Sequence, residues 1–294
     1  MSGKSDRRIQ TLAHIVLIIM SLAALLPFIL LISASFTDEN TALKYGFKFI
    51  PMVFSLRAYQ YLQKQYLMII RSYGITVLTT FVGTAGGLLM SALLGYGLSR
   101  NIPGKRFFNF AVIFTMLFNG GLVPTYLVYT KYLHIQNTLW ALIIPYLLVN
   151  AFQVMLMRNY FGSSIPEDLL ESARLDGCSE FGIFGRIVFP LSKPILATVG
   201  LMKALSYWNN WTNGLYFLDD TKLYSIQNVL NAINNNIVAI SQLSGTGVSV
   251  DKANLPALTA RMAIAVIGIL PMLVVYPFFQ RYFVKGITIG AVKG

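Results

Sequence analysis

The sequence predicts an all-α membrane protein with six transmembrane helices and both termini in the cytoplasm. Three observations predict it. The chain is 55% hydrophobic and only 12% charged, with a mean hydropathy of +0.62, whereas a soluble domain carries roughly 25% charge. Six stretches reach the ~20 mostly apolar residues that a helix needs to cross a bilayer: 12–35, 73–98, 107–130, 138–157, 194–217 and 259–283. All eleven Asp and Glu fall outside them. No gap is long or polar enough for a separate soluble domain, so residues 1–294 read as one transmembrane domain with a polar loop at 158–193.

Orientation follows from Lys and Arg near the span ends. The short 99–106 and 158–193 loops are basic, through Arg100, Lys105 and Arg106 and through Arg158, Arg174, Arg186 and Lys193. They share a side with Lys4, Arg7, Arg8, Arg281 and Lys285, which places that side in the cytoplasm. Other basic residues, among them Lys131 and Arg261, fall outside, so the bias rests on position more than on count.

In chain order, the first span exceeds the ~7–15 apolar residues of a secretory signal core and reads as an uncleaved anchor. Residues 37–72 read as amphipathic pieces along the outer face. Span two carries Gly83, Gly87, Ser91 and Gly95 at intervals of four. Small residues so spaced form a flat face where another backbone can approach, which favours helix packing over a ligand role. Span three contains Asn119-Gly120-Gly121 and Pro124 near its middle, which predicts either a broken helix lining a cavity or a packed kink.

The loop 166–194 has apolar positions at the helical period, charges on the other positions, and Gly177 where a left-handed turn can end a helix. It reads as helix, sharp turn, helix at a membrane face. Pro190 and Pro194 punctuate the approach to span five.

Span five concentrates Lys203, Tyr207, Trp208, Asn209, Asn210, Trp211, Asn213 and Gly214. Aromatic faces stack on sugar C–H faces and amides pair with hydroxyls, so sugar binding is one reading; an interfacial aromatic belt is the other. Lys203 lies about 15 Å beyond Lys193 at helical rise, near the middle of a ~30 Å core. No acid in the spans can neutralise it. It snorkels, which is strained from mid-bilayer, or bonds to backbone carbonyls beside a wet cavity, or meets an acidic substrate. The 218–258 loop is polar and rich in Asn, and span six contains Pro271 and Pro277 before a basic tail.

Several chemistries are excluded. The net charge of +12 is spread beside apolar spans and forms no nucleic-acid stripe. Cys178 is the single cysteine, so no intrachain disulfide exists. His14 and His134 have no ligand spacing around them, and no catalytic residue set or metal cluster occurs in the spans. No phosphate-binding G-x-x-x-x-G-K-[ST] loop is present. ATP, if it is used, binds to another subunit.

Glu171-Ser172-Ala173, Asp176-Gly177 and Ile187-Val188-Phe189-Pro190 resemble the EAA loop of ABC-importer permeases, with Ser172 standing where the family usually has Ala. Asn119 to Tyr126, Trp208-Asn209 and Gly286 to Gly294 extend the likeness to carbohydrate-uptake permeases, most of all to the YtcP-like branch that pairs with an LplB-like permease. The resemblance implies that Glu171, Ser172, Ala173, Asp176, Gly177 and Pro190 belong to a coupling helix that docks on a cytoplasmic ATPase dimer. It further implies a second permease, an extracytoplasmic sugar-binding protein, ATP and magnesium held by the ATPase, and a bacterial plasma-membrane location. Relatives in that branch import oligosaccharides, several of them uronate-containing. Candidate pathway residues are Asn119, Gly120, Tyr126, Lys203, Tyr207, Trp208, Asn210, Trp211 and Asn213. The alternative is a stand-alone secondary transporter of a small polar solute. It would require intramembrane acids for ion coupling, and it leaves the 166–194 loop unexplained.

Overall fold

The structure is a computed structural model that describes residues 3–243 and 256–291, with side chains over 9–239 and 256–274. The Gly/Ser-rich stretch 244–249 and residues 292–294 lie outside the described residues, as do the side chains of Arg281 and Lys285. The described residues form helices and loops, with one isolated bridge between Thr37 and Phe54. The chain divides into two compact units, Met1–Leu67 with Leu230–Met272 and Met68–Val229 with Leu273–Gly294.

In the first unit, α1 (Gly3–Ser35) is a long helix that runs through Pro27. The side chains of its apolar stretch are exposed nearly all round. α2 (Glu39–Tyr45) starts at Asp38, whose carboxylate accepts the N–H groups of Asn40 and Thr41, and it stops at Gly46 with φ 70°. α3 (Arg57–Gln63) is anchored by a 2.8 Å hydrogen bond between Tyr59 and Ser35.

The second unit is built on α4 (Tyr66–Ser99), most of which lies within it. Span three breaks into α5 (Lys105–Leu117) and α6 (Leu122–Leu127), the latter continued by a π-turn at Val128–Tyr132. The two halves are bent by 114°. The break falls at Asn119-Gly120-Gly121, where Gly121 has φ 87°. Of the two readings of this span, the helix is broken.

The stretch 138–157 is not one continuous helix. α7 (Trp140–Ile143) is a single turn, residues 144–150 are non-helical, and α8 (Ala151–Ser164) follows. Pro145 has no N–H to give a helix. Tyr146 stands at φ 62°, and Asn150 accepts the Gln153 N–H to start α8. Hydropathy averages across these residues, so it does not register the break.

α9 (Glu167–Leu175) and α10 (Glu180–Ile183) form the expected helix–turn–helix. The chain continues through a π-turn at Phe184–Val188 and α11 (Phe189–Leu191), then bends by 84° into α12 (Lys193–Trp208). α13 (Thr212–Phe217) follows a second interruption at 209–211. Tyr96, Met157, Phe161, Leu170, Ile183 and Val188 form the centre of a buried core joining these helices.

α14 (Ile226–Leu243) begins in the second unit and continues in the first. α15 (Ala257–Ala291) runs through Pro271 and Pro277. The Glu39 carboxylate accepts the N–H groups of Leu258 and Thr259 at 2.8 and 3.0 Å. An acid is favoured at that helix end because the first-turn N–H groups have no helical partner there. Among the described residues, three helices are long and apolar enough to cross a membrane: Ile9–Ser35, Tyr66–Ser99 and Ala257–Val274. Two bent pairs, Lys105–Leu117 with Leu122–Tyr132 and Glu180–Leu191 with Lys193–Trp208, also pass by composition.

Candidate functional site

The break at 144–150 releases carbonyl groups that a continuous helix would satisfy. In an apolar interior such groups need donors. They find them on α12 and α13. The Tyr207 hydroxyl donates to the Ile143 carbonyl at 2.9 Å. The Asn213 amide donates to the Pro145 carbonyl at 2.9 Å. The Lys203 ammonium donates to the carbonyls of Leu148 at 3.1 Å and Leu147 at 3.4 Å. Lys203 and Asn213 are each 1% exposed, and Tyr207 is also buried. The mid-span lysine thus bonds to backbone dipoles, and its side chain is enclosed.

α4 closes the third side of this clamp. A Cβ on Gly87 would lie 2.6 Å from the Leu148 carbonyl and 3.0 Å from the Lys203 nitrogen, and one on Gly83 would collide with the Tyr207 ring. Gly95 faces the backbone of α8 in the same way. The glycines spaced along span two therefore serve packing.

The interruption at 209–211 is satisfied locally. Asn210 accepts the Asn213 N–H at 3.0 Å, and Asn228 donates its amide to the Trp211 carbonyl at 2.6 Å. Trp208 is buried 6.3 Å from the Tyr73 ring, and its indole N–H has no acceptor among the described residues. Trp211 is exposed and Asn210 half-buried. Tyr126 stacks on Phe217 at 5.8 Å. Asn119 and Gly120 are exposed at the break of span three, where Asn119 accepts the Gly121 N–H at 2.9 Å. Among the described residues, Asn119 and Gly120 make no hydrogen bond to the clamp residues. Of the candidate pathway residues, the structure joins Lys203, Tyr207 and Asn213 into one clamp.

The second locus is the turn between α9 and α10. Glu167 and Asp168 occupy the first turn of α9, where acids complement the helix dipole. At its other end, the Gly177 N–H donates to the Arg174 carbonyl and the Cys178 N–H to the Ala173 carbonyl, each at 3.0 Å. Gly177 sits at φ 79°. This is a Schellman stop, and it requires a residue that tolerates the left-handed region. Ala173 and Leu170 are buried beneath α9, while Glu171, Ser172, Asp176 and Pro190 are exposed. The Ser172 hydroxyl donates to the Asp168 carbonyl one turn back at 2.9 Å, so Ser at this position leaves the helix intact.

Sequence reasoning missed four residues here. Leu175 and Phe181 are 89% and 80% exposed, so two large apolar side chains project from the turn. Leu175 stands off the buried stripe of α9, which is a signal. Phe181 instead keeps the apolar spacing from the buried Phe184 and reads from the sequence as part of the buried face, which its exposure corrects. Tyr96 and Arg100, at the end of α4, contact the acids of the loop. These pairings link residues far apart in sequence, and nothing local announces them. A cavity of about 620 Å³ lies alongside, lined by Leu93, Arg100, Glu167, Arg174, Phe181 and Phe184 among others. The Arg174 guanidinium, helped by the Tyr96 hydroxyl, holds the Glu180 carboxyl below the usual range. Glu180 in turn raises Arg174. The lowered Glu180 pKa means that this contact is in place at neutral pH and is lost as pH falls through the lowered value.

Comparison with known proteins agrees with this architecture. Residues 6–289 match the family described as the binding-protein-dependent transport system inner membrane component. The chain is 39% identical to the polygalacturonan/rhamnogalacturonan transport system permease protein YtcP of Bacillus subtilis, over 98% of this chain and 99% of that one. It is 39% identical to protein LplC of the same organism, over 92% and 90% of the two chains. Among solved structures, it is similar to a chain of a bacterial ABC transporter involved in the import of the acidic polysaccharide alginate. That match has a TM-score of 0.78 and 31% identity, over 96% of this chain and 99% of that one. These relatives are transport subunits and not enzymes. The chain belongs to the binding-protein-dependent transport system inner membrane component family, and is a permease subunit of an ABC sugar importer.

Proposed function

We propose that this chain is one of two permeases in an ATP-driven importer of uronate-containing oligosaccharides. It has six spans with both termini in the cytoplasm, and α9 is the coupling helix. A separate ATPase dimer binds ATP and magnesium. An extracytoplasmic binding protein delivers the sugar, and alternating access moves it inward. The observation that carries the coupling assignment is the α9–α10 turn. It exposes Glu171, Ser172, Leu175 and Phe181 together, and it is fixed by a glycine at positive φ. Apolar residues ringed by polar ones suit a docking knob.

In this reading Trp208, Asn210, Trp211, Asn119 and Tyr126 border the sugar route. Lys203, Tyr207 and Asn213 hold its wall. The acidic substrate class is supported by two relatives, whose names specify polygalacturonan/rhamnogalacturonan and alginate.

Gly177→Val tests coupling. A β-branched residue at φ 79° is an outlier costing about 1–3 kcal/mol, so the turn must rearrange. The variant is expected to insert at the normal level, retain less ATPase on purification, and lose at least tenfold in uptake. Unchanged ATPase retention and uptake would remove the coupling assignment.

The substrate class is tested with the assembled transporter in liposomes containing ATP. Galacturonate oligomers are expected to enter at least tenfold faster than neutral glucose oligomers of the same length. Equal entry of both would end the uronate reading.

A further inference from the structure

We propose that Arg100 is a positioning strut that makes α9 and α4 move as one body. This rests on the reading of α9 as the coupling helix. Arg100 follows the last residue of α4 and is 7% exposed. Its Nη1 forms an ion pair with Glu167 Oε2 at 2.5 Å, at the start of α9. Its Nη2 donates to the Phe161 carbonyl of α8 at 2.9 Å. Its guanidinium carbon lies 5.2 Å from the Tyr96 ring centre. One side chain therefore ties three helices.

A second tie holds the far end of α9. Arg174 Nε donates to Glu180 Oε1 at 2.8 Å, and the Tyr96 hydroxyl donates to Glu180 Oε2 at 2.7 Å. Arg174 also pairs with Glu167 at 3.5 Å, which closes the network. Leu170 and Ala173 fill the space beneath. Glu167, Arg174 and Glu180 are 54%, 36% and 55% exposed. Exposed pairs of this kind contribute little stability. Their effect is geometric, since they fix both ends of a short helix to one long one.

The long helix leads to the clamp. Gly83 and Gly87 of α4 bear on Tyr207 and Lys203. They lie about 18–24 Å along the helix from Ser99 at a rise of 1.5 Å per residue. Displacement of α9 thus reaches the broken segment at 144–150 through a single rigid element. Without the strut, α9 can follow the ATPase while α4 stays behind.

The test uses the complete transporter in liposomes: both permeases, the ATPase dimer and the binding protein. The variants are Glu167→Gln, which is isosteric at a half-exposed site, Arg100→Met, and the two combined. The sugar is whichever of the galacturonate and glucose oligomers the wild type takes up. ATP hydrolysis by each variant is expected to stay within twofold of wild type while uptake falls at least tenfold. The double variant should be no worse than the worse single, because both remove one interaction.

The strut is overturned if uptake is unchanged in Glu167→Gln. It is equally overturned if hydrolysis and uptake fall together, or if the two losses multiply in the double variant. Gly177→Val, run in parallel, separates the premises. If it too leaves uptake unchanged, the coupling reading itself has failed. If it abolishes uptake while Glu167→Gln does not, only the strut is wrong.

Discussion

Gly95→Val is expected to remove folded permease from the membrane, while Gly97→Val, two residues further along α4, leaves it in place. A Cβ on Gly95 would lie 2.8 Å from the Met157 Cβ, 3.0 Å from the Arg158 nitrogen and 3.2 Å from the Val154 carbonyl oxygen. Two of these atoms are backbone and the third is fixed to it, so no rotamer change relieves the contact. Valine adds two further methyls to the same place. Overpacking a closed interior typically costs 1–3 kcal/mol, and more where backbone must move. Here α8 must withdraw from α4, taking with it Met157 and Phe161, which lie in the core. A Cβ on Gly97 meets nothing within 4 Å. The measurement is the amount of monodisperse protein extracted in mild detergent, compared with total protein in the membrane. Equal recovery of the two variants would show that α4 and α8 do not pack closely at Gly95.

That contrast also shows what a sequence can carry. Gly83, Gly87 and Gly95 are legible as a packing face because the interval of four is a property of the helix itself. The break at Asn119-Gly120-Gly121 is legible because glycines weaken a helix wherever they stand. Gly177 is legible because a helix stop is local. The break at 144–150 is less so. Its one strong signal is Pro145, set among residues apolar enough to pass as a span.

The mid-span depth of Lys203 follows from counting, but its partners do not. Carbonyl groups have no sequence signature, and they become available only because another segment is non-helical. The Arg100–Glu167 pair is hidden for a related reason. Arg100 looks like an ordinary positive-inside residue, and its acid lies on a different helix.

Lys203→Met is expected to reduce uptake of every transported oligosaccharide by roughly the same factor, tenfold or more, with the protein still inserted. Methionine nearly matches the length of lysine, so little cavity opens. Two opposing effects then set the stability. The Leu147 and Leu148 carbonyls lose charge-assisted hydrogen bonds, each contributing about 1.5–3 kcal/mol. Against this, an ammonium no longer has to be kept inside the bilayer, which insertion scales put at about 2.5–3.5 kcal/mol. The two are comparable, so the fold survives.

What does not survive is the fixed shape of the 144–150 segment. Its carbonyls no longer have a common donor, and Gly87 loses the group that fills the space before it. A loosened wall affects acidic and neutral cargo alike. If Lys203 instead contacts a substrate carboxylate during transport, Lys203→Met loses acidic oligosaccharides selectively, and any neutral oligomer admitted at a low rate is spared. Uptake of galacturonate and glucose oligomers by Lys203→Met, each divided by its wild-type rate, decides between a clamp that shapes the pathway and a counter-ion that reads the cargo.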